Sequence, residues 1–117
     1  MSDKPRTITD DQLQQALDWL REAASKAAKA RAERLYLEEH LGHIRSKIAL
    51  ECMEAGHSAA KADVTARASD AYKTALDGYK VAVEADELYR WRRAASDAIL
   101  SAWQTMNAND RAMGKLQ

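Results

Sequence analysis

The chain has 117 residues, 46% hydrophobic and 31% charged, with eighteen Lys and Arg set against eighteen Asp and Glu. That length makes one domain or one protomer of an assembly, and the neutral balance supplies no global field to draw the protein onto nucleic acid or a membrane surface. Cys52 is the only cysteine, which excludes an intramolecular disulfide framework, and no apolar run approaches the ~20 residues that cross a bilayer.

Residues 1–8 read as a polar, disordered leader without the apolar core of a signal peptide. From Thr9 to Asn109 there is no proline, and the only glycines are Gly42, Gly56 and Gly78. Proline costs a helix interior ~3 kcal/mol and glycine ~1 kcal/mol relative to alanine, so this span lacks helix breakers. It predicts an all-α fold: a long antiparallel helical hairpin with coiled-coil character over 9–109.

Thr9 opens a capping box with Gln12, and Asp10 and Asp11 suit the positive end of the helix dipole. Ile8 is placed to staple onto Leu13. The first helix runs to about Ala55, or ~65 Å at 1.5 Å per residue. Its apolar stripe is Leu13, Ala16, Leu20, Ala23, Ala27, Ala30, Leu37, Leu41, Ile44, Ile48 and Cys52. The stripe drifts by roughly 20° per heptad, as a left-handed coiled-coil seam does.

The turn is expected near 55–69. Gly56 suits the residue after a helix end, and Ser58 suits the next N-cap. Residues 59–69 fit either a short helix or a looser connection, and Ser69-Asp70 offers another start. The second long helix then runs to about Asn109, with 110–117 a frayed tail. Its apolar face changes along its length. Ala68, Tyr72, Ala75, Leu76, Tyr79, Ala82 and Val83 share one side, while Leu88, Ala95, Ile99, Ala102, Trp103 and Met106 share a nearly opposite one. A reversal at Glu84–Glu87 implies a bend there, or two different partners. Since 24 of the 54 hydrophobic residues are alanine, the core is thin, and association into a homo-oligomer is the expected remedy.

Two basic clusters are the candidate nucleic-acid contacts: Lys26, Lys29, Arg31 and Arg34, and the segment Arg90, Trp91, Arg92 and Arg93. Arginines beside an aromatic can neutralise phosphates while the ring stacks a base. A hairpin turning near residues 56–62 brings the clusters to one level. The structural alternative is a set of ion pairs: Arg90 with Asp86, Arg93 with Asp97, and Arg31 or Arg34, close to the seam, with Glu84, Asp86 or Glu87. Trp19 and Trp103 are placed to close the open end of the hairpin. Leu88, Ile99, Trp103 and Met106 are the candidate protein interface.

The sequence offers no catalytic arrangement, no metal site and no cofactor. Glu39, His40, His43, Cys52 and His57 lack the second Glu-x-x-His and the two further glutamates of a di-iron bundle. A thiol on an apolar seam is inert, and a two-helix rod has little concave volume for a small-molecule substrate. The mixed charge of the polar faces does not suit a membrane surface.

Three segments carry a family resemblance: Ala32 to Glu39 (Ala-Glu-Arg-Leu-Tyr-Leu-Glu-Glu), Ser69 to Leu76 (Ser-Asp-Ala-Tyr-Lys-Thr-Ala-Leu), and Ser101 to Arg111 (Ser-Ala-Trp-Gln-Thr-Met-Asn-Ala-Asn-Asp-Arg). They resemble small Ala-rich helical proteins of temperate tailed phages and prophages, over roughly residues 30–111. Those proteins share a Tyr-Leu-Glu-Glu-like stretch and a C-terminal pattern. Here the pattern falls on Arg90 or Arg92, Ala95 or Ala98, Trp103, Thr105, Ala108 and Arg111. Gln104 stands where such proteins usually carry an arginine. The resemblance implies a setting among early phage functions in DNA replication and recombination, in the cytoplasm of a bacterial host. The expected role is non-enzymatic: binding single-stranded DNA or a host or phage DNA-processing enzyme. The rival expectation is a protein-only module, such as an inhibitor of a host defence or repair enzyme, or a purely structural oligomer.

Overall fold

The computed structural model describes residues 7–116, with side chains from 7 to 114. Among these residues the protein is all-helical: 93% lie in three helices, and there is no strand. Helix α1 spans Asp10–Glu54, α2 spans Ala59–Ala68 and α3 spans Asp70–Leu116. Most of the leader expected over 1–8 lies outside the described residues. Helix α3 continues past the boundary expected at Asn109. Between Asn109 and Leu116 only Gly114 disfavours helix, at a cost of ~1 kcal/mol.

The chain forms two compact units, one from residues 1–25 with 89–117 and the other from residues 26–88. Helices α1 and α3 each contribute to both. In the first unit the start of α1 is closed by the expected capping box. The amide of Gln12 donates to Thr9 Oγ1 at 3.2 Å, and Thr9 N–H donates to Gln12 Oε1 at 3.0 Å. Two of the orphan amides at the helix start are thereby satisfied. Ala16, Ala23 and Ser96 are buried in this unit. The Ile8 amide donates to Met106 Sδ at 3.4 Å. The ring that meets Trp19 belongs to Tyr89, stacked at 6.5 Å between centroids and 28°. Trp103, expected beside Trp19, is half-buried in the same unit.

In the second unit α1 ends in a paired-bond cap. The His57 amide donates to the Cys52 carbonyl at 3.1 Å, and the Gly56 amide to the Met53 carbonyl at 3.0 Å. Gly56 takes φ +98°, a conformation open to glycine and costly for other residues. Ser58 then caps α2 by accepting from the Lys61 amide at 3.2 Å. A single residue separates α2 from α3. Ser69 is extended (φ −70°, ψ 149°), its hydroxyl donates to the Ala66 carbonyl at 2.7 Å, and its oxygen accepts from the Tyr72 amide at 3.2 Å. Ala62 and Ala66, one turn apart on α2, are fully buried, and Ala82 of α3 is buried in the same unit. No large side chain is fully buried among the described residues.

Covered positions on α1 recur in steps of three and four: Leu13, Ala16, Leu20, Ala23, Ala27, Ala30, Arg34, Leu37, Leu41, Ile44 and Ile48. Arg34 therefore fills a place in the apolar stripe. On α3 the covered series is Tyr72, Ala75, Tyr79, Ala82, Asp86, Tyr89, Ser96, Leu100, Trp103 and Asn107, with only Arg93 exposed in that spacing. Within the chain the covered face therefore does not reverse at Glu84–Glu87. The covered series passes through Asp86 without a break, because polar residues occupy it there. Leu88, Ala95 and Ala102 lie exposed outside it.

Candidate nucleic-acid interface

The two basic clusters fall in different units. Lys26, Lys29, Arg31 and Arg34 sit on the α1 segment of the second unit, and the first three are exposed. Arg34 is held. Its Nη1 donates to Asp86 Oδ2 at 3.0 Å and to Glu87 Oε1 at 2.9 Å. Its side chain is 26% exposed and that of Asp86 only 4%. The guanidinium is held above its ordinary pKa, first by the hydrogen bond to Glu87 and then by that to Asp86, with Tyr79 adding to the effect. Among the described residues no buried side-chain nitrogen or oxygen lacks a partner. Arg34 is thus bound to the acids its position suggested, and its charge is spent on Asp86 and Glu87.

The segment Arg90–Arg93 lies on α3 in the first unit. Helical spacing turns Tyr89 inward, half-buried on Trp19, and leaves the next four residues exposed. The Trp91 ring is 73% exposed, the largest value among the exposed large hydrophobic residues. Arg92 and Arg93 flank it in sequence, both exposed. Arg93 Nε lies 3.9 Å from Asp97 Oδ2, with side chains 77% and 58% exposed. Exposed pairs of this kind contribute little, since water and salt screen them. The chemistry offered is a solvent-facing indole beside exposed guanidinium groups.

The four candidate interface residues divide. Leu88 is exposed in the second unit, whereas Ile99, Trp103 and Met106 are half-buried in the first. His40 stacks on Tyr36 at 6.1 Å and 6°. Among the described residues no three His, Cys, Asp or Glu side chains are gathered to hold a metal ion, and no helix is long and apolar enough to cross a membrane. Two features escaped the sequence: Asp86 as a seam residue and Tyr89 as the stacking partner of Trp19. Asp86 carried a signal, since a step of four from Ala82 and three to Tyr89 lands on it. Comparison with protein-family models, with curated proteins and with solved structures finds no match to this chain.

Proposed function

We propose that this chain is a non-enzymatic accessory protein of a temperate phage or prophage that acts by binding. Its ligand is single-stranded DNA, met at Arg90, Trp91, Arg92 and Arg93, in support of recombination or replication alone or with a DNA-processing enzyme. The observation that carries this reading is the exposure of Trp91 between arginines. A large indole turned to water has no packing role in its own unit, while a base stacked on it recovers ~1–3 kcal/mol. Lys26, Lys29 and Arg31 remain as secondary phosphate contacts, and Arg34 leaves the set because Asp86 and Glu87 hold it.

The same reading takes α1 and α3 as arms of an antiparallel hairpin with coiled-coil character. The three-and-four spacing of their covered residues supports it. It also takes the working form as a homo-oligomer, since the buried hydrophobic residues are all alanine while Leu35, Leu50, Val64 and Val81 are exposed. Those exposed side chains also favour the second reading, a protein-only module docking through apolar surface.

Salt separates the two. Fluorescence anisotropy of labelled single- and double-stranded DNA is measured at low and moderate salt. Micromolar binding that weakens steeply with salt, and is lost when Arg90, Arg92 and Arg93 are all changed to Ala without loss of helicity, supports the DNA reading. Binding absent at low salt rejects it and turns the search to a protein partner.

A further inference from the structure

We propose that Arg34, Asp86 and Glu87 form a register lock, selecting one alignment of α1 against α3 within the second unit from alignments that the packing of that unit alone scarcely distinguishes. The covered series on each helix repeats every seven residues: Ala27, Ala30, Leu37, Leu41, Ile44 and Ile48 on α1, and on α3 Tyr72 and Tyr79, Ala75 and Ala82, the same residue types one heptad apart. Sliding one helix past the other by a heptad, about 10 Å at 1.5 Å per residue, keeps seam facing seam. Along α3 tyrosine then takes the place of tyrosine and alanine that of alanine, so the buried surface within this unit changes little. Leucine seams in coiled coils have the same degeneracy, and a single polar residue in the seam removes it.

Asp86 stands in such a place. Its carboxylate is almost wholly buried, and Arg34 Nη1 reaches it and Glu87 together. A heptad slide in one direction sets Tyr79 where Asp86 now lies. The Arg34 charge then meets a neutral hydroxyl in place of a carboxylate, and Asp86 moves to the exposed place of Arg93, away from its cation.

The test places nitroxide labels at Glu51 and Glu84, exposed on α1 and α3 of this unit, in a chain with Cys52→Ala. Double electron–electron resonance reads the distance between them. The parent is expected to give one population. Arg34→Leu with Asp86→Leu is expected to stay as helical and melt no lower, yet to show a second population displaced by roughly 10 Å along the helix axis. A single population unchanged from the parent overturns the proposal. Should the leucine pair fail to fold, Arg34→Asp with Asp86→Arg is compared with Asp86→Arg alone. The swapped pair is expected to keep the parental distance and the single variant to lose it. The same distance in both overturns the lock.

Discussion

Two arginines on the two long helices, each near acids in sequence or across the seam, have opposite fates. Arg34 falls on the step of three and four that defines the covered side of α1. It reaches a carboxylate 4% exposed, at 3.0 Å. Arg93 also falls on the covered spacing of α3, but stays 77% exposed and lies 3.9 Å from Asp97. Charge and residue type do not separate them; enclosure does. Where one partner is enclosed, as Asp86 is, the pair is less open to water and salt, and removing the cation strands a buried carboxylate. On a wet helix face the same pair is screened and easily exchanged for another partner. One arginine is held in the fold, and the other stands in solvent beside Asp97.

The widest effect on stability is therefore expected at Asp86. Changing Asp86→Ala leaves the Arg34 cation facing the seam with Glu87 alone, and the melting temperature is expected to fall by roughly 10 °C. Single-stranded DNA binding at a temperature where the variant is folded should be unchanged. Equal losses in melting and binding would erase the distinction between the two arginines. Trp91→Ala should do the reverse. It removes an exposed ring, so thermal melting followed by circular dichroism is expected to stay within a degree or two. Affinity for single-stranded DNA is expected to drop by about 10- to 100-fold, the loss of one stacked base. A chain that melts much lower without Trp91 would show the indole packs against something, and the binding reading would lose its main support.

Ser58→Ala sharpens the comparison from the side of the backbone. It deletes the oxygen that accepts from the Lys61 amide and should cost about 1 kcal/mol by chemical denaturation, with no change in DNA affinity.

The parts of the fold that could be read in the sequence are those decided locally. Thr9 with Gln12, Gly56, Ser58 and Ser69 lie where the backbone needs a cap or a left-handed residue, and each requirement is met by neighbours within five positions. The seam of α3 could not be read in the same way. Asp86 and Ser96 are polar, so an apolar pattern skips them, and Leu88, Ala95 and Ala102 then draw a second stripe on the exposed side. What makes Asp86 tolerable is Arg34, 52 positions earlier, and a pattern confined to one helix carries no record of that. The candidate site divides along the same line. That Arg31 or Arg34 could reach Glu84, Asp86 or Glu87 followed from their place beside the stripe, and the structure selects Arg34 with Asp86 and Glu87. That Trp91 faces water and Tyr89 faces Trp19 depended on which side of α3 is covered.

The smallest expected effect tests the exposed arginine most directly. Asp97→Asn removes the carboxylate beside Arg93 and keeps the size and helix compatibility of the side chain. Both groups are more than half exposed, so stability is expected to change by no more than ~0.5 kcal/mol. The sign for binding is opposite to that of Trp91→Ala. With one negative charge gone from the edge of the patch, an approaching phosphate meets less repulsion and Arg93 no longer has to leave a partner. Affinity should rise about two- to threefold at low salt. That gain should vanish as the Debye length shrinks to ~8 Å near 0.15 M and below. A drop in melting of several degrees would mean that the Arg93–Asp97 pair is structural after all, like Arg34 with Asp86. Unchanged affinity at low salt would mean that no phosphate passes Arg93, leaving Trp91 and Arg92 to mark the path of the strand.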